Sequence, residues 1–217
     1  MEFENLQCRY VKLYTGVVGD VLDTMGYWHQ MLPGEIQALS LGTKLFGEAF
    51  TIEGRAALDN TENDIPLRVK LLGQITKNSV VVLASQGDRQ SAHWGEITGL
   101  AARNNGCLGA VVDGGTRDVQ QLLDYKFPVF TRFRSSKGST GRWSVKHWQV
   151  PIRVEDVTIN PGDYIMGDDD GVIAIPQAIA EKVLLAAEEK VMKEQAMRAA
   201  LARGETIHAI HEKYGHF

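Results

Sequence analysis

The sequence has few of the features that define several large classes of protein. Its two cysteines, Cys8 and Cys107, are far apart, so a disulfide framework is excluded and a reducing, cytoplasmic compartment is expected. No apolar run approaches the roughly 20 residues of a membrane-spanning helix, and the acidic, polar residues 1–5 do not resemble a signal peptide. The net charge of −4 argues against nucleic acid or a membrane surface as a partner.

Proline is also scarce, with 6 residues, whereas glycine is abundant, with 22. The remaining composition, 44% hydrophobic and 23% charged, is ordinary for a globular protein. The chain of 217 residues is long enough for one domain with a sizeable core. We find no linker or internal repeat, so we predict a single domain over residues 1–217.

Short apolar runs alternate with helical patterns in the middle of the chain. Residues 79–84 are typical of a strand buried on both faces, residues 108–112 are predicted as the next buried strand and residues 128–133 as the strand after it. Helices are predicted between them, over residues 96–104 and 117–125. This order predicts a parallel sheet with right-handed crossover connections.

The flanking segments complete an α/β prediction. Residues 148–176 are rich in β-branched residues and turns, which predicts short antiparallel strands. The other predicted elements are a helix over 5–26, a strand over 43–54, a helix over 64–74 and a long helix over 177–203. The sequence therefore predicts a mixed sheet flanked by helices in one domain, with a long C-terminal helix.

The most informative segment runs from Gly95 to Asp118. Glu96 follows Gly95 at the start of one predicted helix, and Arg117 and Asp118 stand at the start of the next. In an α/β fold such positions face the crevice where ligands bind. If the two loops converge, they offer the groups that a small dianionic acid and a divalent cation need.

Asp118 and Arg117 have chemistry suited to these two ligands. A hard cation such as Mg²⁺ keeps several waters, so one carboxylate can be its only direct protein ligand. A guanidinium can bind a carboxylate or a developing enolate through its fork of donors. The alternatives at this point are a helix-terminal carboxylate for Asp118 and a surface salt bridge for Arg117.

The first turn of the helix over residues 96–104 is a second candidate for binding an acid. The amides of Ile97 and Thr98 are free to bind a substrate carboxylate. Glu96 would then act through metal-bound water or as a base, and the alternative is favourable electrostatics at a helix start. His93, nearby, can shuttle protons, but an isolated histidine is a weak indication.

Two further groups of polar residues are interpreted without a function. Residues 168–171 lack the spacing of a calcium loop and are predicted to form a tight turn. His208 and His211 are three residues apart, with His216 beyond them, but no third ligand of the zinc type is evident, which favours a solvated tail.

Several motifs together resemble the RraA-like family, from about residue 14 to the C-terminal Tyr214-Gly215. They are Gly95-Glu96, Arg117-Asp118, Phe127-Pro128-Val129-Phe130, Gly141-Arg142-Trp143 and Asn160-Pro161-Gly162-Asp163. The spacing of Gly-Glu and Arg-Asp, with 20 residues between them, is the most specific part. The resemblance implies a β/β/α fold of the swivelling-domain type and ring-shaped homotrimers, sometimes paired into homohexamers.

That family includes class II pyruvate aldolases that act on 4-hydroxy-4-methyl-2-oxoglutarate and 4-carboxy-4-hydroxy-2-oxoadipate and also decarboxylate oxaloacetate. It also includes a regulator that inhibits a ribonuclease and lacks the metal-binding carboxylate. Because Asp118 is present, we expect a metal-dependent lyase that releases pyruvate from a 4-hydroxy-2-oxo acid. The alternatives are a non-catalytic regulator and a lyase for another, sugar-derived 2-oxo acid.

The resemblance also implies roles for individual residues. Asp118 would hold Mg²⁺ or Mn²⁺ directly, and Arg117 would contact the pyruvyl oxygens. Glu96, after Gly95, would work through metal-bound water, and the amides of Ile97 and Thr98 would receive the substrate carboxylate.

Other parts of the site are defined less closely by the resemblance. A glutamate from a neighbouring subunit's C-terminal helix helps to complete such sites, and Glu194 is the best match, followed by Glu189. Thr98 stands where many aldolases carry an aliphatic residue, and residues 132–137 are more basic than expected. These departures leave the particular substrate open.

Overall fold

The computed structural model describes residues 1–215; His216, part of the predicted tail, lies outside the described residues. The described helices are α1 (Phe3–Tyr10), α2 (Thr15–Thr24), α3 (Ile65–Leu72), α4 (Glu96–Asn104), α5 (Val119–Asp124), α6 (Ala180–Ala202) and α7 (Ile207–Tyr214). The strands are β1 (Gln37–Ala38), β2 (Leu45–Ala56), β3 (Ser79–Ala84), β4 (Ala92–Trp94), β5 (Gly109–Thr116), β6 (Val129–Arg134), β7 (Trp143–Trp148), β8 (Ile152–Val154), β9 (Val157–Ile159), β10 (Tyr164–Asp168) and β11 (Gly171–Ile175). A 3₁₀ turn, Gln177–Ile179, precedes α6.

One mixed sheet organises the fold, in the order β1-β6-β5-β3-β2-β10-β11. Strands β2, β3, β5 and β6 are parallel, whereas β10 and β11 are antiparallel. Strand β4 pairs with β5, β7 pairs with β2, and β8 and β9 form a separate hairpin. The predicted parallel centre and antiparallel C-terminal part are both confirmed.

Both faces of the sheet are covered, which explains the continuous apolar runs of β3 and β5. Trp94, Leu122 and Trp143 belong to the core on the side of α3, α4 and α5. A second core joins α1, α2 and α6 to β10 and β11, where the Phe46 ring stacks between Tyr10 and Tyr164 at 4.5 and 5.2 Å.

The predicted helix over residues 5–26 is wrong in one respect, because two helices, α1 and α2, occupy it. The second helix begins at Thr15, whose amide and hydroxyl both donate to the buried carboxylate of Asp168, at 2.8 and 2.6 Å. The predicted turn after Asp168 is confirmed as the connection between β10 and β11, with Gly171 at a φ of 144°. Asp168 therefore fixes the start of α2.

The predicted solvated tail is wrong in one respect, because residues 207–214 form α7, although His208 and His211 are exposed as expected. Ile210 is fully buried against Met197 and Ala200 of α6, and Thr206 caps the helix by accepting from the Ala209 amide at 3.3 Å. Among residues 1–215, no helix combines the length and apolar character needed to cross a bilayer.

Candidate functional site

The two loops of the Gly95–Asp118 segment converge because β4 and β5 are adjacent parallel strands. Ala92 lies opposite Gly115, and Trp94 opposite Thr116, so the residues that follow each strand meet at the same edge. The Arg117 amide donates to the Trp94 carbonyl at 3.0 Å. Because β5 extends to Thr116, Arg117 and Asp118 precede helix α5, whereas a helix from residue 117 was predicted.

Asp118 is held in a left-handed conformation, with a φ of 55° and a ψ of 40°. Aspartate adopts this region more readily than most residues. Its Oδ2 atom accepts from the Glu96 amide at 3.1 Å and lies 3.3 Å from Nε of Arg117. In the part of the chain that the structure describes, no group donates a hydrogen bond to Oδ1, so this carboxylate oxygen is available to a ligand.

Gly95 permits the close approach of Asp118 and Arg117 to the start of α4. A Cβ atom at position 95 would lie 2.7 Å from Oδ2 of Asp118 and 3.1 Å from Cγ of Arg117. The backbone there is extended, so the glycine is needed for space rather than for its φ angle.

The start of helix α4 offers free donors beside Asp118. The Glu96 amide is bound by Asp118, whereas the amides of Ile97 and Thr98 have no acceptor among the described residues. The Glu96 carbonyl accepts from the Tyr125 hydroxyl at 3.0 Å, and burial and the nearby charge of Glu96 raise the pKa of Tyr125.

These groups share a small cleft of about 120 Å³, named here the Arg117 cleft. It is lined by residues 92–95, 97–98, 117–118 and 138–140 and by Arg68. The predicted residues Gly95, Ile97, Thr98, Arg117 and Asp118 are therefore brought together. Glu96 is an exception, because its half-buried side chain does not line the cleft within the described chain.

His93 connects the two walls of the cleft. Its Nδ1 atom accepts from the Gly115 amide at 3.2 Å, so its Nε2 atom carries the proton and donates to Oδ2 of Asp88 at 2.9 Å. Burial lowers the pKa of His93 to about 4, although the carboxylate of Asp88 acts in the opposite direction. The imidazole is thus neutral near pH 7. This positioning contact was not predicted from the sequence, where the acidic residue five positions earlier was the available signal.

Glu194 and Glu189, the predicted contributions from the C-terminal helix, lie away from the Arg117 cleft of their own chain. The Glu194 carboxylate accepts a hydrogen bond from the Tyr14 hydroxyl and another, of 2.7 Å, from Nη2 of Arg198. Both glutamates line a separate groove of about 460 Å³ beside α2 and α7. Their action in a neighbouring subunit's site stays a prediction.

A larger cleft, of about 300 Å³, lies around Arg132 but is chemically less suited to an acid. The Arg132 guanidinium is paired with Asp113, with Glu35 at 3.3 Å and with Glu155 at 2.8 Å. These carboxylates neutralise Arg132, one of the basic residues of the segment 132–137. We therefore take the smaller Arg117 cleft as the candidate site, although its volume is lower.

The fold is of the α/β class. Where strands β4 and β5 end, the cleft brings together amide and guanidinium groups that can bind an anion and a carboxylate with one free oxygen. Residues 15–174 match the family model described as "RraA-like: Aldolase/RraA". The chain belongs to the RraA-like family.

Two relatives are about equally similar in sequence. "Protein DlpA" of Legionella pneumophila is 30% identical over 97% of this chain, which spans only 34% of that protein's length. A protein of Halalkalibacterium halodurans named "Putative 4-hydroxy-4-methyl-2-oxoglutarate aldolase" is 30% identical over 87% of this chain and 84% of its own.

Solved structures share the fold. One, described as novel cellulases from microbes associated with the gut ecosystem, has a TM-score of 0.86 and 37% identity over 90% of this chain and 88% of its own. Streptomyces coelicolor RraAS2, described as an unusual member of the RNase ES inhibitor RraA protein family, has a TM-score of 0.81. It is 23% identical over 91% of this chain and 97% of its own, so it supports the fold alone.

Proposed function

We propose that the protein is a divalent-metal-dependent lyase that cleaves a 4-hydroxy-2-oxo acid to pyruvate and also decarboxylates oxaloacetate. The observation that carries the proposal is the meeting of Asp118, Arg117 and the free amides of α4 in one cleft. The aldolase name of the Halalkalibacterium halodurans relative supports the same reaction class.

The donor set fits a hard cation such as Mg²⁺ or Mn²⁺. Among residues 1–215, no group of three histidine, cysteine or acidic residues encloses a possible metal position. That argues against tetrahedral zinc, which takes several protein ligands, but suits a cation that keeps waters and substrate oxygens. Asp118 would hold the ion through its available oxygen, and the bound ion would act as a Lewis acid toward the 2-oxo group.

The chain's own groups have separate tasks in this proposal. The amides of Ile97 and Thr98 bind the substrate carboxylate at the positive end of α4. The Arg117 guanidinium donates to the keto oxygen, where negative charge develops as the C3–C4 bond breaks. Binding that strengthens as this charge forms lowers the barrier to cleavage.

The retro-aldol step also moves one proton. The C4 hydroxyl loses its proton as C4 becomes the carbonyl of the second product, and C3 gains one as the enolate becomes pyruvate. We assign this transfer to Glu96, the first residue of α4 after Gly95. Because its side chain does not line the Arg117 cleft of the described chain, Glu96 would act through water.

The variant Asp118→Asn tests the proposal with minimal change in shape. Pyruvate release from oxaloacetate and from a 4-hydroxy-2-oxo acid, measured by proton NMR with Mg²⁺, should fall about 100-fold or more, as for loss of an electrostatic stabiliser. Asp124→Asn, at an exposed carboxylate outside the cleft, is the matched control and should retain activity. Wild-type rates of pyruvate release in the Asp118→Asn protein would contradict the proposal.

A second candidate function, a non-catalytic regulator of a ribonuclease, is kept because the matching family model names RraA beside aldolase and the sequence resemblance extends to such a regulator. Isothermal titration with Mg²⁺ and oxalate, a mimic of the pyruvate enolate, separates the two. An enzyme should give metal-dependent heat that Asp118→Asn removes, and a regulator without a working site should give none. A panel of hydroxy-oxo acids, including sugar-derived ones, would then define the substrate.

We propose further that the active form is a homotrimer or homohexamer. The support is that, among the described residues, Asp118 is the one acidic side chain that lines the Arg117 cleft, whereas Glu194 and Glu189 of the same chain lie in another groove. A neighbouring subunit's C-terminal helix would then supply a second carboxylate.

A further inference from the structure

Strand β5 is irregular on both sides just before it reaches the Arg117 cleft. Its pairing with β4 changes register between Ala92 and Trp94, and its pairing with β6 changes register between Val112 and Gly115. A change of register interrupts the regular main-chain hydrogen bonds of a sheet. The position of residues 117–118, which follow β5, therefore depends on other contacts.

Two side chains supply such contacts, one on each side of β5. On the β6 side, the Thr131 hydroxyl donates to the Gly114 carbonyl at 2.8 Å. On the β4 side, Nδ1 of His93 accepts from the Gly115 amide at 3.2 Å. A Cβ atom at position 114 would overlap the imidazole, so glycine there lets the His93 ring lie directly against β5.

The imidazole of His93 is held from its far side by Asp88. Its Nε2 atom donates to Oδ2 of Asp88 at 2.9 Å, and its ring meets the Trp143 ring edge to face, with 4.8 Å between the centroids. The His93 side chain is 0% exposed and the Asp88 side chain 10%, so water competes little for this hydrogen bond. The two hydrogen bonds together fix the orientation of the ring.

Asp88 is itself fixed in the loop between β3 and β4. Its Oδ1 atom accepts from the Gln90 amide at 3.0 Å, and the Ser91 hydroxyl donates to Oδ2. Burial alone would raise the pKa of Asp88, but the hydrogen bonds from Ser91 and Gln90 and the nearby His93 lower it, so the group is an ionised acceptor. A continuous set of contacts thus joins this loop to the end of β5.

Asp88 acts at a distance from the proposed chemistry, because within the described residues it lines the larger cleft around Arg132 and not the Arg117 cleft. We propose that Asp88 is a positioning residue that acts through His93 to keep Arg117 and Asp118 in their catalytic geometry. This inference rests on the proposed lyase function and adds a residue to its site. Because the imidazole is neutral, the oxygen acceptor of Asp88 is required and its charge is not.

The variant Asp88→Leu removes the acceptor at a similar side-chain size. With saturating Mg²⁺, kcat for pyruvate release should fall about 10- to 100-fold, the usual cost of losing an outer group that orients a metal site. KM should change less than kcat, because the free amides that receive the substrate carboxylate belong to α4 and not to β5. A loss confined to KM, or no loss, would overturn the proposal.

The variant Asp88→Asn separates positioning from electrostatics. It keeps an oxygen that can face Nε2 of His93, since the amide of the exposed Gln90 can bind water instead. Its kcat should stay close to the wild-type value, and a loss as large as that of Asp88→Leu would overturn the proposal. Arg89→Gln, at an exposed arginine in the same loop, is the matched control and should keep wild-type kinetics.

A double-mutant cycle tests whether Asp88 acts through His93. His93→Leu removes both hydrogen bonds of the imidazole, so kcat should fall at least as far as in Asp88→Leu. Adding Asp88→Leu to that variant should then lower kcat little further. Losses that multiply would overturn the proposal, because Asp88 would then act by another route.

Hydrogen exchange at the Gly115 amide, followed by NMR, measures the contact without turnover, and needs the Asp88 variants alone. Exchange should be faster in Asp88→Leu than in wild type and unchanged in Asp88→Asn and Arg89→Gln, while the amides of β3 keep their rates throughout. Unchanged exchange at Gly115 in Asp88→Leu would overturn the inference. If the wild-type protein releases no pyruvate, the proposed function fails, and the exchange rates still decide whether Asp88 positions the end of β5.

Discussion

At the scale of single residues, Gly95 sets the distance between the two walls of the cleft. Gly95→Ala would place Cβ within 2.7 Å of Oδ2 of Asp118, so the carboxylate must move. We expect kcat/KM for pyruvate release to fall about 100-fold, because a displacement of about 1 Å in a catalytic group has that effect. The free energy of unfolding should change by less than about 1 kcal/mol, since the atom displaced is the end of a side chain.

Gly34→Ala is the control, because a Cβ atom there meets nothing within 4 Å and the φ angle is not positive. Thermal melts and steady-state kinetics on both variants give the two quantities. A Gly95→Ala protein that releases pyruvate at the wild-type rate would show that the proposed reaction does not need Asp118 in its present position.

His93 makes stability depend on pH through its buried, neutral imidazole. Burial lowers its pKa in the native state to about 4, whereas the unfolded value is near 6.5. As pH falls from about 6.5 to 4, the unfolded chain binds a proton that the native chain does not. Stability should therefore decrease through this window, by at most about 3 kcal/mol from this residue.

Urea unfolding at several pH values measures how the free energy of unfolding changes with pH. The variant His93→Gln should be less stable than wild type at pH 7, but its free energy of unfolding should change less between pH 6.5 and 5. The control His147→Gln, at an exposed histidine, should show the wild-type dependence on pH. Equal slopes for wild type and His93→Gln would contradict the assignment.

At the scale of elements, the sequence predicted the helices and strands that have a regular pattern or a continuous run of apolar residues. Strand β3 and the first half of strand β5 are continuous apolar runs, so their burial on both faces was readable from residue type. The two-residue β1 and the three-residue β4 are too short to show a period. The break between α1 and α2 was missed because its cause, the contact of Thr15 with Asp168, joins residues far apart in sequence.

Helix α7 was missed for a related reason, since its stability comes from packing on α6. Ile210→Ala should remove the one fully buried side chain of α7 and release this helix locally. Hydrogen exchange followed by mass spectrometry should show lost protection over residues 207–214 and unchanged protection in β3 and β5. Ile207→Ala, at an exposed position of the same helix, should keep α7 protected; loss of protection throughout the chain in Ile210→Ala would contradict this view.

At the scale of the whole molecule, the site combines residues that local sequence could connect with residues it could not. The convergence of Gly95, Arg117 and Asp118 was predictable because the starts of successive helices in an α/β fold face the same crevice. Arg68 and residues 138–140 line the same cleft but arrive through tertiary packing, which spacing does not reveal.

The proposed assembly predicts that two inactive variants complement each other. If Asp118 acts in one subunit and Glu194 in its neighbour, Asp118→Asn and Glu194→Gln should each be inactive as pure proteins. Mixed oligomers, formed by co-expression with two tags, should regain roughly a quarter to a third of wild-type activity, because some interfaces join the two intact residues. Glu189→Gln in place of Glu194→Gln tests the second candidate.

Light scattering on the purified wild type gives the oligomeric state independently. A monomer that is fully active, or mixed oligomers without recovered activity, would count against the shared site.

The left-handed backbone at Asp118 limits how this family can diverge. Asparagine and glycine are the replacements that this conformation tolerates best. Under the proposed function, either replacement would remove the carboxylate while the loop keeps its shape, whereas a β-branched residue would strain the loop as well. The choice of residue at position 118 can therefore change the chemistry and the backbone separately.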